Sequence, residues 1–161
     1  MTSTPRRCRG DAGSAVVETA FALPVVFLLL MMVIDFSMME LKQSQVTSAS
    51  RDGARAGIIS WKGADTGTYS GGACPTTPAS YATICKAVLA RLAGATASSI
   101  DVTCYVGSTT TVVACTQGSV IEGIDMMKVT VGYSYRTITP PGQLVLGPTR
   151  QFSSSTRMVI Q

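Results

Sequence analysis

Glu18 carries the most demanding chemistry in this 161-residue chain, because beyond it no side chain ionises until Asp35. The residues between them run Thr-Ala-Phe-Ala-Leu-Pro-Val-Val-Phe-Leu-Leu-Leu-Met-Met-Val-Ile, and Ala15, Val16 and Val17 extend the apolar stretch on the near side of Glu18. A carboxylate in such surroundings is costly unless a cation or a set of donors meets it. Four thiols, Cys74, Cys85, Cys104 and Cys115, form a second reactive group, with a fifth at Cys8. Little else here suits catalysis. The chain has no His and no Asn, which removes Ser-His-Asp and Cys-His nucleophilic systems, His-containing zinc sites and Asn-linked glycosylation sequons. It has no Gly-x-Gly-x-x-Gly or phosphate-cradling loop. Of the acids Asp52, Asp65, Asp101, Glu122 and Asp125, only the last two approach a paired spacing, in a Gly-rich turn that is a weak calcium candidate. The expectation is a non-enzymatic protein without cofactor, metal or small-molecule substrate. Net charge is a mild +4, and three of the thirteen basic residues, Arg6, Arg7 and Arg9, sit in the first nine positions, so no basic face for nucleic acid is expected.

The element that must position Glu18 is a membrane helix. A bilayer core of about 30 Å takes roughly 20 apolar residues in helical form, so Ser14 to about Ser37 spans it if Glu18 and Asp35 lie near the two interfaces or find partners. The three arginines ahead of it hold the N-terminus in the cytoplasm and send the rest outward. A cleaved secretory signal fits less well, because the apolar region is long and Asp-Phe-Ser-Met-Met-Glu after it has no small-x-small cleavage site. A twin-arginine signal fits less still, since Cys-Arg-Gly follows the Arg6-Arg7 pair. A plain single-pass anchor bearing an extracytoplasmic binding domain is the alternative, with Glu18 merely an interfacial acid favoured by the positive end of the helix dipole.

The stretch Arg9-Gly10-Asp11-Ala12-Gly13-Ser14-Ala15-Val16-Val17-Glu18-Thr19-Ala20-Phe21-Ala22-Leu23-Pro24 resembles the N-terminus of TadE-type pseudopilins. In that family a basic leader ends at Gly, a prepilin peptidase cuts after it, and Glu is the fifth mature residue. Gly13 and Glu18 stand at that spacing. The resemblance extends through Val25 to Ile34, the pair Asp35-Phe36, and Ala49-Ser50-Arg51-Asp52-Gly53-Ala54-Arg55-Ala56-Gly57. Thr19 departs from the more usual Phe. It implies cleavage between Gly13 and Ser14, a free ammonium at Ser14 about 6 Å of helix rise from Glu18, and a role for Glu18 in neutralising the N-terminus of an adjacent subunit. Pro24 removes one helix hydrogen bond within the span, where a kink or local loosening is expected.

The resemblance further implies a minor pilin of a Tad-type type IV pilus, acting in assembly initiation or at an adhesive tip. Its partners would be the prepilin peptidase, the major pilin, other minor pilins and the inner-membrane assembly platform. The precursor would lie in the bacterial inner membrane, N-terminus in and C-terminus out, and the assembled protein in a cell-surface pilus. An anchor needs neither Gly13 nor Glu18; a pilin needs both.

Beyond the membrane the helix should continue, with Met38, Leu41, Gln45, Val46, Ala49 and Ile58 near helical spacings, and end between Gly57 and Gly63. The small residues from Ala49 to Gly57 suit either ordinary helix surface or close packing on the head or on another subunit. Trp61 and Lys62 follow, suited to packing or contact. Residues 63–78 read as loop, and Tyr81 to Leu92 as a short amphipathic helix stopped near Gly94. Strands are expected at 100–106, 111–115 and 127–137. A Pro-Pro-Gly break at 140–142 precedes Leu144-Val145-Leu146, and in a last segment Phe152, Ser154, Thr156, Met158 and Ile160 share one side. With Cys8 in the leader, four cysteines remain in an oxidising compartment. Spacing favours Cys74 with Cys85 and Cys104 with Cys115, leaving the other connectivities open, and the lack of any Cys-x-x-Cys pair disfavours zinc. The expected fold is α+β and type IV pilin-like. Residues 1–13 form a cleaved leader, 14–60 a long helix half in the membrane and half periplasmic, and 61–161 an antiparallel-sheet head carrying disulfides.

Overall fold

One helix, α1 (Asp11–Ile59), takes up the first third of the chain and at 49 residues is about 73 Å long. The computed structural model describes residues 11–60, 67–69, 74–76, 79–93, 95–115 and 120–160. The two halves of α1 have different surroundings. Its most hydrophobic window holds no buried residue among the described residues, and the helix is long and apolar enough to cross a membrane. The other half packs on the head, and Asp35 is the first fully buried residue met along it, among the described side chains.

The head adds β1 (Gly67–Tyr69), α2 (Ala79–Arg91), β2 (Ser99–Tyr105), β3 (Val112–Val113), β4 (Met126–Arg136), α3 (Pro140–Leu146) and β5 (Thr149–Val159). The strands form an antiparallel sheet in the order β1-β2-β4-β5, with β3 beside β2 as well. Alternation sets its inner face. Ile100, Val102 and Cys104 of β2, with Met127, Val129 and Val131 of β4, are almost completely buried, while their neighbours in sequence face outward, as the two-residue period of a strand requires. From α2, Tyr81, Ile84, Cys85 and Val88 close the core above them, and Tyr81 donates its hydroxyl to the Ile100 carbonyl at 2.8 Å. The fold is therefore α+β and pilin-like, a long helix with one sheet face laid against it.

Two segments of the head differ from expectation. The segment read as loop at 63–78 supplies β1, whose Gly67 lies opposite Val102 and Tyr69 opposite Ile100. Its backbone groups occupy part of the β2 edge that would otherwise be unpaired, and this needs no apolar side chains to signal it. The Pro-Pro-Gly break, in turn, is the start of α3. Thr139 is the N-cap, its hydroxyl accepting from the Gly142 N–H, and proline occupies the first turn, where no N–H is required.

The small residues of α1 allow close approach to the head. A Cβ on Gly53 would come within 2.6 Å of Val88 Cγ2, and one on Gly57 within 2.5 Å of Met127 Sδ. Ser50, fully buried, hydrogen-bonds to Thr156 at 2.9 Å and Ser154 at 3.3 Å across the α1–β5 contact, so its desolvated hydroxyl is satisfied. Leu41, expected on the packed face, is instead 50% exposed; the buried line runs through Asp35, Val46, Ala49, Ser50, Gly53, Ala54 and Gly57. Arg91 meets Asp52 at 3.1 Å, an exposed pair that adds little stability.

Cys74 is bonded to Cys85 and Cys104 to Cys115, the two pairings that spacing favours. The first ties the segment before α2 to its buried face, and the second joins β2 to the segment after β3. Each closes an 11-residue separation, and the chain-entropy model assigns about 3 kcal/mol to a loop of that size.

Candidate functional site

The direction of β4 is fixed by its neighbours on α1. Met127 lies at Gly57, Val129 at Gly53, and the chain just beyond β4 lies at Asp35. The strand thus runs back along the helix from the far end of the head toward the apolar half of α1. Its continuation, the β4–α3–β5 tip, is the part of the head nearest that apolar half.

Asp35 fastens this tip. One carboxylate oxygen accepts from the Ile138 N–H at 3.3 Å, the other from the Thr139 N–H at 3.2 Å and from the Thr139 hydroxyl in a short bond. The same hydroxyl accepts from the Gly142 N–H at 3.2 Å, so a relay runs from the first turn of α3 through Thr139 to the carboxylate. Gly142 has to be glycine in this arrangement, since a Cβ there would overlap the Asp35 carboxylate. Thr137 completes the tip, donating its hydroxyl to the Gly147 carbonyl at 2.7 Å. Asp35 is 0% exposed, and a carboxylate can remain there only because donors replace its water. Sequence reasoning placed Asp35 at the membrane edge but did not find its donors. A partner more than 100 residues away leaves no mark on the local pattern.

Beside this anchor is an unsatisfied group. Tyr135 is 4% exposed and its hydroxyl has no hydrogen-bond partner among the described residues. Burial first, and then the negative charge of Asp35, raise its pKa above the ordinary 10.0. The fold therefore favours the neutral phenol. That contribution is complete below the unfolded-state pKa and is lost as pH rises through the higher folded-state value. Tyr135→Phe is expected to stabilise the head by about 1 kcal/mol at neutral pH, because it removes a buried donor with nothing to bond. It should also flatten the fall in stability above pH 10.0. Urea unfolding of the full chain in detergent at neutral and alkaline pH checks both; equal pH profiles for the two proteins would contradict this account.

The residues expected to act in processing and assembly stand apart from the head. Gly13, Ser14 and Glu18 are exposed on α1, and among the described residues no ion pair reaches Glu18. The Gly13–Ser14 bond lies in the opening turn of the helix, where the N–H groups lack intrahelical partners, so unwinding this turn costs few hydrogen bonds. Thr19 returns its hydroxyl to the carbonyls of Ala15 and Val16, each at 3.0 Å, which keeps it satisfied in an apolar setting. The helix continues through Pro24, although proline cannot donate to the Ala20 carbonyl. Next to it Thr19, Ala22, Leu23 and Val26 line an open apolar depression of about 230 Å³.

The weak calcium candidate is accounted for differently. Both Asp125 oxygens are taken, by the N–H groups of Gly107 and Ile121 at 2.8 Å each, while Glu122 is exposed. Asp125 is a turn anchor. Trp61, Lys62, Asp65, Gly94 and the basic leader through Gly10 lie outside the described residues.

A long helix with an apolar half, leading into a small disulfide-bonded antiparallel head, is a type IV pilin-like fold. More specifically, residues 13–55 match the model of the TadE-like protein family, so the long helix of this chain is a TadE-like segment. No curated protein and no solved structure matches the chain. The TadE-like match points to a structural component of the Tad pilus, associated with other pilus components and with the membrane.

Proposed function

We propose that this chain is a minor pseudopilin of a Tad-type pilus, made as a membrane precursor, cut by a prepilin peptidase, and built into the pilus where assembly starts or at its adhesive tip. Residues 1–13 are the leader, 14–60 the assembly helix and 61–161 the extracytoplasmic head. The N-terminus faces the cytoplasm before assembly, and the partners are the major pilin, other minor pilins and the inner-membrane platform. One observation carries this: Gly13, Ser14 and Glu18 stand at prepilin spacing, at the head of an uncharged run, within the TadE-like segment.

Cleavage would leave an ammonium on Ser14. A helix ending in an ammonium and bearing a carboxylate about 6 Å further along is matched to a neighbour of the same kind displaced along its axis. The exposure of Val16, Val17, Phe21, Leu23, the residues from Val25 to Leu30, Val33 and Ile34 supplies the apolar surface on which lipid is exchanged for such neighbours. Pro24, which leaves the Ala20 carbonyl without its helix donor, gives this bundle a place to bend.

Replacing Gly13 tests the processing step separately from assembly. Gly13→Leu adds a side chain at the cut, where a Cβ would meet nothing within the protein itself, so folding should be untouched. In the native host the variant should accumulate as the uncleaved precursor. Unchanged mobility relative to wild type would remove prepilin processing from the account.

A further inference from the structure

We propose that the β4–α3–β5 tip is a second membrane contact, resting in the headgroup layer at the C-terminal end of the α1 span. This rests on the reading of α1 as a membrane helix, but not on which way the helix points. Height is the first reason. Ala15 to Ile34, with Glu18 as the one ionisable residue near the opposite end, supply about 30 Å of helix, the thickness of a bilayer core, which places Asp35 at its edge, and the tip is hydrogen-bonded to Asp35 through Ile138 and Thr139. The tip has to lie at the same level.

Its surface chemistry suits that level. Leu144 is 89% exposed, Ile138 64% and Val145 61%, an apolar display close to the end of the span. Arg136 and Arg150 flank it, both exposed, on adjacent strands one register step apart. No Asp or Glu occurs anywhere after Asp125, so nothing on this hairpin repels anionic headgroups; Asp35, the nearby acid, is buried under its donors. Apolar residues flanked by arginines are the composition of elements that lie in the membrane interface. The backbone is prepared as well. Gln143 N–H bonds to the Thr139 carbonyl and Gly147 N–H to the Gln143 carbonyl, each at 3.0 Å, so these groups enter the interface already paired.

The chain has a single tryptophan, Trp61, which allows a fluorescent reporter to be moved. The full-length protein carrying Trp61→Phe and Leu144→Trp is reconstituted at low density in phosphatidylcholine and phosphatidylglycerol vesicles whose acyl chains are brominated near either the headgroup or the methyl end. The expected result is blue-shifted emission that loses most of its intensity with the shallow-brominated lipid and little with the deep one. A parallel Trp61→Phe, Phe27→Trp protein should be quenched by deep-brominated lipid; if it is not, the membrane assignment of α1 fails. If Phe27→Trp is quenched while the residue-144 reporter emits as in water, the tip proposal fails and the span stands. A residue-144 signal that shifts only as protein density rises would assign the face to a second copy, which also overturns the proposal. Val145→Trp repeats the reading at a neighbouring exposed position, guarding against a fault peculiar to one substitution.

Discussion

Asp35→Ala is expected to lower the stability of the head by about 3 kcal/mol. Three donors lose their acceptor at once: the N–H groups of Ile138 and Thr139 and the Thr139 hydroxyl. Ile138 is exposed and its N–H can turn to water, but Thr139 is 7% exposed, so its two donors stay desolvated and unpaired. Each such group costs about 1–3 kcal/mol. Asp35→Asn keeps one acceptor oxygen while bringing an NH2 toward groups that also donate, and should fall between the two. The measurement is the urea midpoint of the full chain in detergent, and an unchanged midpoint for Asp35→Ala would mean that the carboxylate does not hold the tip.

Glu18→Ala should act on assembly and leave the fold alone. The residue is exposed on α1, far from the head, so unfolding should not change, and insertion and cleavage should proceed. What changes is the partner of the Ser14 ammonium. Ser14 stands at the edge of the span, where an unmatched charge costs less than at the helix centre, for which insertion scales give about 2.5–3.5 kcal/mol; a loss of about 1.4 kcal/mol weakens each joining step roughly 10-fold. Piliation should collapse while the cleaved protein persists in the membrane fraction. Glu18→Gln, which retains hydrogen bonding without charge, should recover only part of it. Normal piliation in Glu18→Ala, counted by electron microscopy, would count heavily against the pairing role.

Much of this architecture follows from local pattern. The uncharged run from Thr19 to Ile34 makes a helix exposed over all but Met31 and Met32, the apolar face of Tyr81 to Leu92 becomes α2, and alternation from Met127 to Tyr135 yields the inner face of β4. Cysteine spacing works for the same reason, since partners 11 residues apart meet across a single turn of chain. Tertiary pairing was not legible. β1 has only Gly, Thr and Tyr and owes its strand conformation to the β2 edge. Leu41 remains exposed because it lies about a third of a turn from the line of buried residues through Asp35, Val46 and Gly53. Asp35 looks in sequence like an interfacial acid marking the end of a span. Its burial depends on donors from the other end of the chain, and no periodicity within α1 encodes them.

The most direct test of the central claim is the N-terminus of the protein isolated from the membrane fraction of its native host, read by intact mass and terminal peptide sequencing. The account predicts a chain beginning at Ser14, with the leader through Gly13 removed and the new ammonium four residues before Glu18. A chain that retains the leader would contradict it, leaving α1 as a plain anchor. A start beyond Asp35 would contradict it more deeply, since the apolar helix would then have been only a signal.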